Sequence, residues 1–243
     1  MRIKVRDAAG SMTRHRWFRN TEWSETIEEA FADRLGRATK KADYLRIQAS
    51  YLTKNYPQVA LRLLDQYFAL GEDAAHAQAH VQRAESYLVL GEVRAAVACY
   101  EAALAREGLS PNLLTQAYVD LPVLIATQCL TDLYDRALNI LDRSRSRPTF
   151  PLEQYRWNAA RALILKELGD AGEAKAAAER ALVAAAKEMS GFRYQAHLGL
   201  VQQLEDDLGS RVRAFAEKPD KTSLRGHLRR LMRKAGSTGS SKG

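Results

Sequence analysis

One spacing of small and aromatic residues recurs four times in this chain and limits what it can fold into. The clearest copy is the stretch AHVQRAESYLVLGEVRAAVACYEAALAREG, in which Ala96, Tyr100 and Ala103 fall at i, i+4 and i+7. This spacing is one face of a helix. Ala84 lies in an earlier helical stretch, and Gly91 separates the two. The copy therefore predicts two helices that approach closely at small residues and join at a glycine turn.

Three other stretches repeat the second-helix spacing. They are Ala60, Leu64 and Tyr67; Ala137, Leu141 and Ser144; and Ala174, Ala178 and Ala181. The four leading alanines are 36, 41 and 37 residues apart. With Gly91-Glu92 and Gly169-Asp170 as turns within a repeat, residues 41–187 resemble the tetratricopeptide repeat family, whose period is about 34 residues. The resemblance implies an all-α fold, an α-α superhelix of about four helical hairpins, although another α-solenoid would share the period.

The third repeat departs furthest from the pattern. Pro122 falls inside its first helix, where it removes a backbone donor and is expected to interrupt and kink the helix. Ser110-Pro111-Asn112 is expected to start that helix. The chain has only six prolines and no long alternation of apolar and polar β-branched residues, which agrees with an all-helical fold.

Segments on either side of the repeats are expected to close the array. Residues 1–20 form a basic, disordered segment in this interpretation, and Met12 could be the true start. Residues 21–40 hold a capping helix with Ser24 as N-cap and Ile27, Phe31 and Leu35 on its apolar stripe. Residues 188–210 hold a second capping helix, from Phe192 to Leu208. Residues 211–243 form a basic tail with a short amphipathic helix and a disordered end.

Charge is unevenly distributed along the chain. The formal net charge is +8, with +5 in residues 1–20, −5 in residues 21–210 and +8 in residues 211–243. No apolar run is long enough to cross a bilayer, and the N-terminus has no apolar signal region. Cys99 and Cys129 are expected in helices as small core residues, which suits a reducing cytoplasm. The excess of arginine over lysine, 26 to 11, suggests a bacterial source.

The first helix of each hairpin is expected to line a concave groove that takes a peptide or helix of a partner. The groove candidates are Arg46, Ala49, Gln78, Gln82, Glu85, Ala126, Arg156 and Ala160. The carboxylate clamp known from chaperone-binding tetratricopeptide proteins would map to Leu45, Ala49, Gln82, Arg156 and Ala160. Only Arg156 among these can pair with a carboxylate in a bidentate way, which argues against that role.

Two further groups of residues have open interpretations. Glu72, His76 and His80 could share one helical face as metal ligands, but the sequence supplies no fourth ligand, and we predict no metal. Trp17, Phe18 and Trp23 beside arginines could stack on bases, or could hold the first helix against the repeats, which we favour.

The basic tail places arginines and a lysine around the leucine stripe of Leu224, Leu228 and Leu231. The cations are Arg225, Arg229, Arg230, Arg233 and Lys234. Such a helix could dock on the repeats, bind an acidic protein partner, or contact nucleic acid or anionic lipid. These alternatives remain open at the level of the sequence.

No catalytic or cofactor-binding motif is present: the chain has no phosphate-binding glycine loop, GxSxG, HExxH or CxxC. The sequence therefore predicts a cytoplasmic, non-enzymatic protein–protein interaction module or scaffold without a cofactor. The alternative hypothesis is a regulator that contacts nucleic acid or another polyanion through its basic ends. Neither partner identity nor oligomeric state follows from the sequence.

Overall fold

The computed structural model describes residues 16–109, 113–202 and 207–216, which form helices, turns and loops without a strand. The helices are α1 (Glu25–Gly36), α2 (Lys41–Leu52), α3 (Pro57–Ala69), α4 (His76–Val89), α5 (Val93–Leu109), α6 (Ala117–Thr127), α7 (Tyr134–Arg143), α8 (Pro151–Glu167), α9 (Ala171–Ala185) and α10 (Asp207–Ala216). A 3-10 turn, Thr131–Leu133, precedes α7. The predicted all-helical class is confirmed for the described residues. No helix in this part of the chain is long and apolar enough to span a membrane.

The chain forms two compact units. The first ends at Leu124 and the second begins at Ile125, so the boundary falls inside α6. In the first unit, α2 packs with α3 and α4 packs with α5, and α4 also contacts α2 and α3. In the second unit, α8 packs with α9, α7 contacts α8, and α10 packs on both α8 and α9. Helices that follow one another in the chain thus form the main packed pairs.

The residues of the four repeated spacings are the tightest points of these pairs. Ala60, Ala96, Ala137 and Ala174, which lead the four copies, have no exposed surface. The remaining members of the spacings are also buried: Leu64, Tyr67, Tyr100, Ala103, Leu141, Ser144, Ala178 and Ala181. The predicted packing face of each second helix is therefore confirmed.

Glycines with positive φ end the first helix of two hairpins. Gly91 has φ +77° between α4 and α5, and Gly169 has φ +86° between α8 and α9. Positive φ is unfavourable for residues that have a Cβ atom, which glycine lacks. Between α6 and α7 the same place is taken by Cys129, with φ +52°. Cys129 is exposed and outside a helix, so its prediction as a helical core residue was wrong.

The aromatic residues near the N-terminus pack on α1. Ser24 caps α1 as predicted, accepting a hydrogen bond from the Ile27 N–H at 3.4 Å. The Trp17 and Trp23 rings lie 5.4 and 5.7 Å from that of the buried Phe31. These contacts agree with the packing interpretation of the tryptophans rather than with base stacking.

Two predictions about individual helices need correction. Pro122 lies inside α6, which continues from Ala117 to Thr127, so the proline does not interrupt it. The helix expected from Phe192 to Leu208 does not form, because residues 190–202 are turns and loop. Gly191 and Gly199 take positive φ there, and α10 begins only at Asp207 and contains Gly209. Ser110-Pro111-Asn112 lies outside the described residues.

Candidate ligand-binding groove

Two of the predicted groove residues come together at one cavity of the first unit. Arg46 of α2 and Gln78 of α4 line a cavity of about 250 Å³. Its other lining residues are Ala74, Ala75, Ala77, Leu113, Leu114 and Thr115. The lining is therefore largely apolar, with a guanidinium and an amide among it.

Sequence reasoning missed the apolar wall of this cavity. Leu113 and Leu114 are 42% and 59% exposed, on the loop before α6. That loop is held by Glu107, a buried carboxylate at the end of α5, which accepts hydrogen bonds of 2.6 Å from both the N–H and the hydroxyl of Thr115. The sequence signal for this wall is Glu107, near the end of a helix, followed by the apolar pair Leu113 and Leu114. The repeat pattern does not include these residues.

Gln82 lies one turn further along α4, on the same face as Gln78. Its side chain is only 6% exposed, and its Oε1 atom has no donor among the described residues. The Nε atom of Arg46, on the neighbouring helix α2, is likewise buried without an acceptor in that part of the chain. Leaving such a group unsatisfied costs about 1–3 kcal/mol, which a ligand that pairs with it can recover.

Glu85 ends this row of side chains. It is exposed, and its pKa is raised because the surrounding protein removes part of its hydration and because Asp120 of α6 adds negative charge. Gln78 and Glu85 are seven residues apart, which corresponds to about 10 Å along the helix. The groove, defined by Arg46, Gln78, Gln82 and Glu85, thus has a positive end at Arg46 and a negative end at Glu85.

The remaining predicted groove residues do not join this site. Ala49, Ala126 and Ala160 are at most 1% exposed, so their methyl groups fill the space between helices and cannot reach a ligand. Small residues at such positions are ambiguous in the sequence, because the same spacing also occurs where two helices touch. Arg156 lies half-buried on α8, in the second unit. The basic tail residues Arg225, Arg229, Arg230, Arg233 and Lys234 lie outside the described residues.

The histidines considered as metal ligands are engaged elsewhere. The Asp73 carboxylate accepts a hydrogen bond from the Tyr67 hydroxyl, and the Asp73 N–H donates to Nδ1 of His76 at 3.0 Å. Glu72 pairs with Arg106 at 2.9 Å. The described residues contain no group of three or more side chains arranged to hold a metal ion.

The same contacts shift the pKa of two groups. Burial would raise the pKa of Asp73, but hydrogen bonds from the Tyr67 hydroxyl and the Ala75 N–H, together with the nearby His76 ring, lower it. Burial, the hydrogen bond to Asp73 and the negative charge of that carboxylate raise the pKa of Tyr67 above its usual range. The cluster therefore links Tyr67 of α3, the loop residue Asp73 and His76 of α4 at the junction of the two helices.

Comparison with known proteins adds no relative. No protein-family model, curated protein or solved structure matches the chain. The groove is therefore interpreted from its own geometry.

Proposed function

We propose that this protein is a non-enzymatic, tetratricopeptide-like interaction module that binds a peptide or helix of a partner protein in the groove of Arg46, Gln78, Gln82 and Glu85. The hairpins would continue as a solenoid, as the repeated spacing implies. We also propose a cytoplasmic location, a bacterial source and a scaffold role. These follow from the sequence pattern and from the absence of a catalytic motif in it.

One observation carries the proposal. Two neighbouring helices each contain a buried polar atom that has no hydrogen-bond partner among the described residues, the Nε donor of Arg46 and the Oε1 acceptor of Gln82. A peptide bond supplies both complements, because its carbonyl accepts and its N–H donates. Turning the Gln82 amide and the Arg46 guanidinium toward the groove would let the ligand backbone pair with both.

The ends of the groove favour one orientation of the ligand. The guanidinium of Arg46 attracts an acidic side chain, and Glu85 with Asp120 attracts a basic one. An extended chain advances about 3.3 Å per residue, so about three ligand residues would span the roughly 10 Å from Gln78 to Glu85. Leu113 and Leu114 offer an apolar contact beside Arg46. The preferred ligand therefore carries an acidic and an apolar residue at one end and a basic residue at the other.

The test uses peptides selected on the full chain from a random phage-displayed library. Their affinities are then measured by fluorescence anisotropy for the wild type and for the double variant Gln78→Arg, Glu85→Arg. Both positions reach the surface, so the fold is expected to persist, as circular dichroism would check. We expect at least about tenfold weaker binding, which corresponds to about 1.4 kcal/mol.

The matched control makes the same two chemical changes away from the groove. Glu29 and Gln66 are exposed on α1 and α3, and Glu29→Arg with Gln66→Arg should leave peptide affinity unchanged. Equal affinity of the groove variant and the wild type would refute the groove assignment. The alternative function, nucleic-acid contact through the basic ends, predicts instead that the selection yields no peptide and that polyanions bind.

A further inference from the structure

A second groove lies on the last packed pair of helices, within the second unit. It consists of two neighbouring cavities of about 520 and 440 Å³, whose linings share Gln154, Asn158 and Arg180. Its walls come from α8, α9 and the loop before α8. None of its residues belongs to the ligand-binding groove of the first unit.

Two cations in this groove are held by neutral side chains. Lys187 Nζ donates to Oε1 of Gln154 at 2.7 Å, and Arg180 Nε donates to Oδ1 of Asn158 at 3.2 Å. An amide oxygen orients a cation without cancelling its charge. Neither cation forms an ion pair with a carboxylate among the described residues. Both positive charges are thus oriented by amide oxygens rather than paired with a carboxylate.

The rest of the groove contains an ion pair over an aromatic ring and an exposed apolar side chain. Arg161 pairs with Asp142 at 2.7 Å and lies over the buried Trp157 ring, at 5.7 Å from its centroid. The Trp157 N–H donates to the Leu141 carbonyl at 3.1 Å. Val183, which is 67% exposed, lines the far cavity beside Arg180 and Lys187. A ligand can therefore meet fixed positive charges and an apolar floor together.

We propose that this groove binds an acidic segment of a protein partner, in which two carboxylates pair with Arg180 and Lys187 and an apolar residue contacts Val183. Gln154 and Asn158 are one turn apart on α8, about 6 Å along its axis. That distance matches glutamates at i and i+4 of a helix or at i and i+2 of an extended chain. Glu173 and Glu179 line the same cavities and would repel a continuous polyanion more than two spaced carboxylates, which favours protein over nucleic acid.

The experiment measures binding of three labelled probes to the full chain by anisotropy. These are an alanine-based helical peptide with glutamates at i and i+4, the same peptide with glutamine in their place, and oligodeoxythymidine of similar length. The test variant is Arg180→Gln with Lys187→Gln, and the control is Lys40→Gln with Lys54→Gln, which removes two exposed charges from the first unit. Thermal unfolding checks that each variant folds.

We expect the wild type and the control to bind the glutamate peptide at least about tenfold more tightly than the test variant, and the glutamine peptide to bind weakly in all cases. A second variant, Gln154→Glu, gives Lys187 a carboxylate partner and should also weaken binding. Unchanged affinity in the test variant, or no binding of the glutamate peptide to the wild type, would overturn the proposal. If the test variant lost binding of oligodeoxythymidine but kept its affinity for the glutamate peptide, the choice of a protein ligand would be wrong.

Discussion

At the scale of single residues, His80 shows how a side chain that looked like a ligand is used in packing. Its ring lies 4.6 Å from the ring of Phe68, at an interplanar angle of 33°. Burial, together with the positive charges of His76, Arg83 and Arg106, lowers the pKa of His80 to about 4. Carboxylates nearby are already engaged, since Glu72 pairs with Arg106 and Asp73 with Tyr67.

This shift predicts sensitivity to acid. An unfolded histidine takes up a proton near pH 6.5, whereas folded His80 does so only near pH 4. Between these values the unfolded state binds one more proton, so stability should fall as the pH falls through this window. In urea titrations at pH 7.5 and pH 5, we expect His80→Gln to lose less stability between the two pH values than the wild type. An equal loss in both proteins would show that His80 titrates normally.

At the scale of elements, the segment after α9 shows how one loop can take the place of a helix. The Leu152 N–H donates to the Gly199 carbonyl at 2.7 Å, and the Ser190 N–H donates to the Ala196 carbonyl at 2.7 Å. The Phe150 and Phe192 rings lie 4.9 Å apart. These contacts fix residues 190–199 against the N-terminal end of α8.

Gly199 and Gly191 allow a matched test of this packing. Both have positive φ, at +66° and +86°, so alanine is strained at either position, by about 1–2 kcal/mol. A Cβ at Gly199 would also lie 2.6 Å from Cβ of Phe150, whereas a Cβ at Gly191 would meet nothing within 4 Å. We expect Gly199→Ala to lower the unfolding free energy by about 1–3 kcal/mol more than Gly191→Ala, measured by chemical denaturation. Equal losses would mean that the loop moves away from Phe150 without cost.

At the scale of the whole molecule, the positive charge lies largely outside the repeats. Residues 217–243 carry eight Lys or Arg and two acidic residues, whereas residues 21–210 have a net charge of −5. Long-range attraction to polyanions should therefore depend on the ends of the chain, while the two grooves act through local contacts.

This distribution predicts the behaviour of a shortened chain. A chain ending at Ala216 keeps α10 and loses most of the basic tail. We expect any binding of a labelled oligonucleotide by the full chain to weaken steeply with salt, and to be much weaker in the shortened chain, because released counterions drive such binding. Peptides selected on the first-unit groove should bind both chains equally. Oligonucleotide binding that survives the truncation would place the polyanion site elsewhere.

The repeated spacings were sufficient to predict the helices that carry them and the buried face of each. Residues at i, i+4 and i+7 share one face of a helix, and all four copies are buried. Gly91 and Gly169 marked their turns because positive φ favours glycine. These features depend on near neighbours in the chain, which the sequence displays directly.

Only the tertiary structure decided which residues can meet a ligand. Ala49, Ala126 and Ala160 were indistinguishable from groove residues until their burial was known. Leu113 and Arg46 line one cavity although 67 positions separate them, and the cations of the second groove depend on amides of another helix. Such sites form where segments distant in the sequence pack together. The helical periodicity of one segment does not indicate which other segment packs against it.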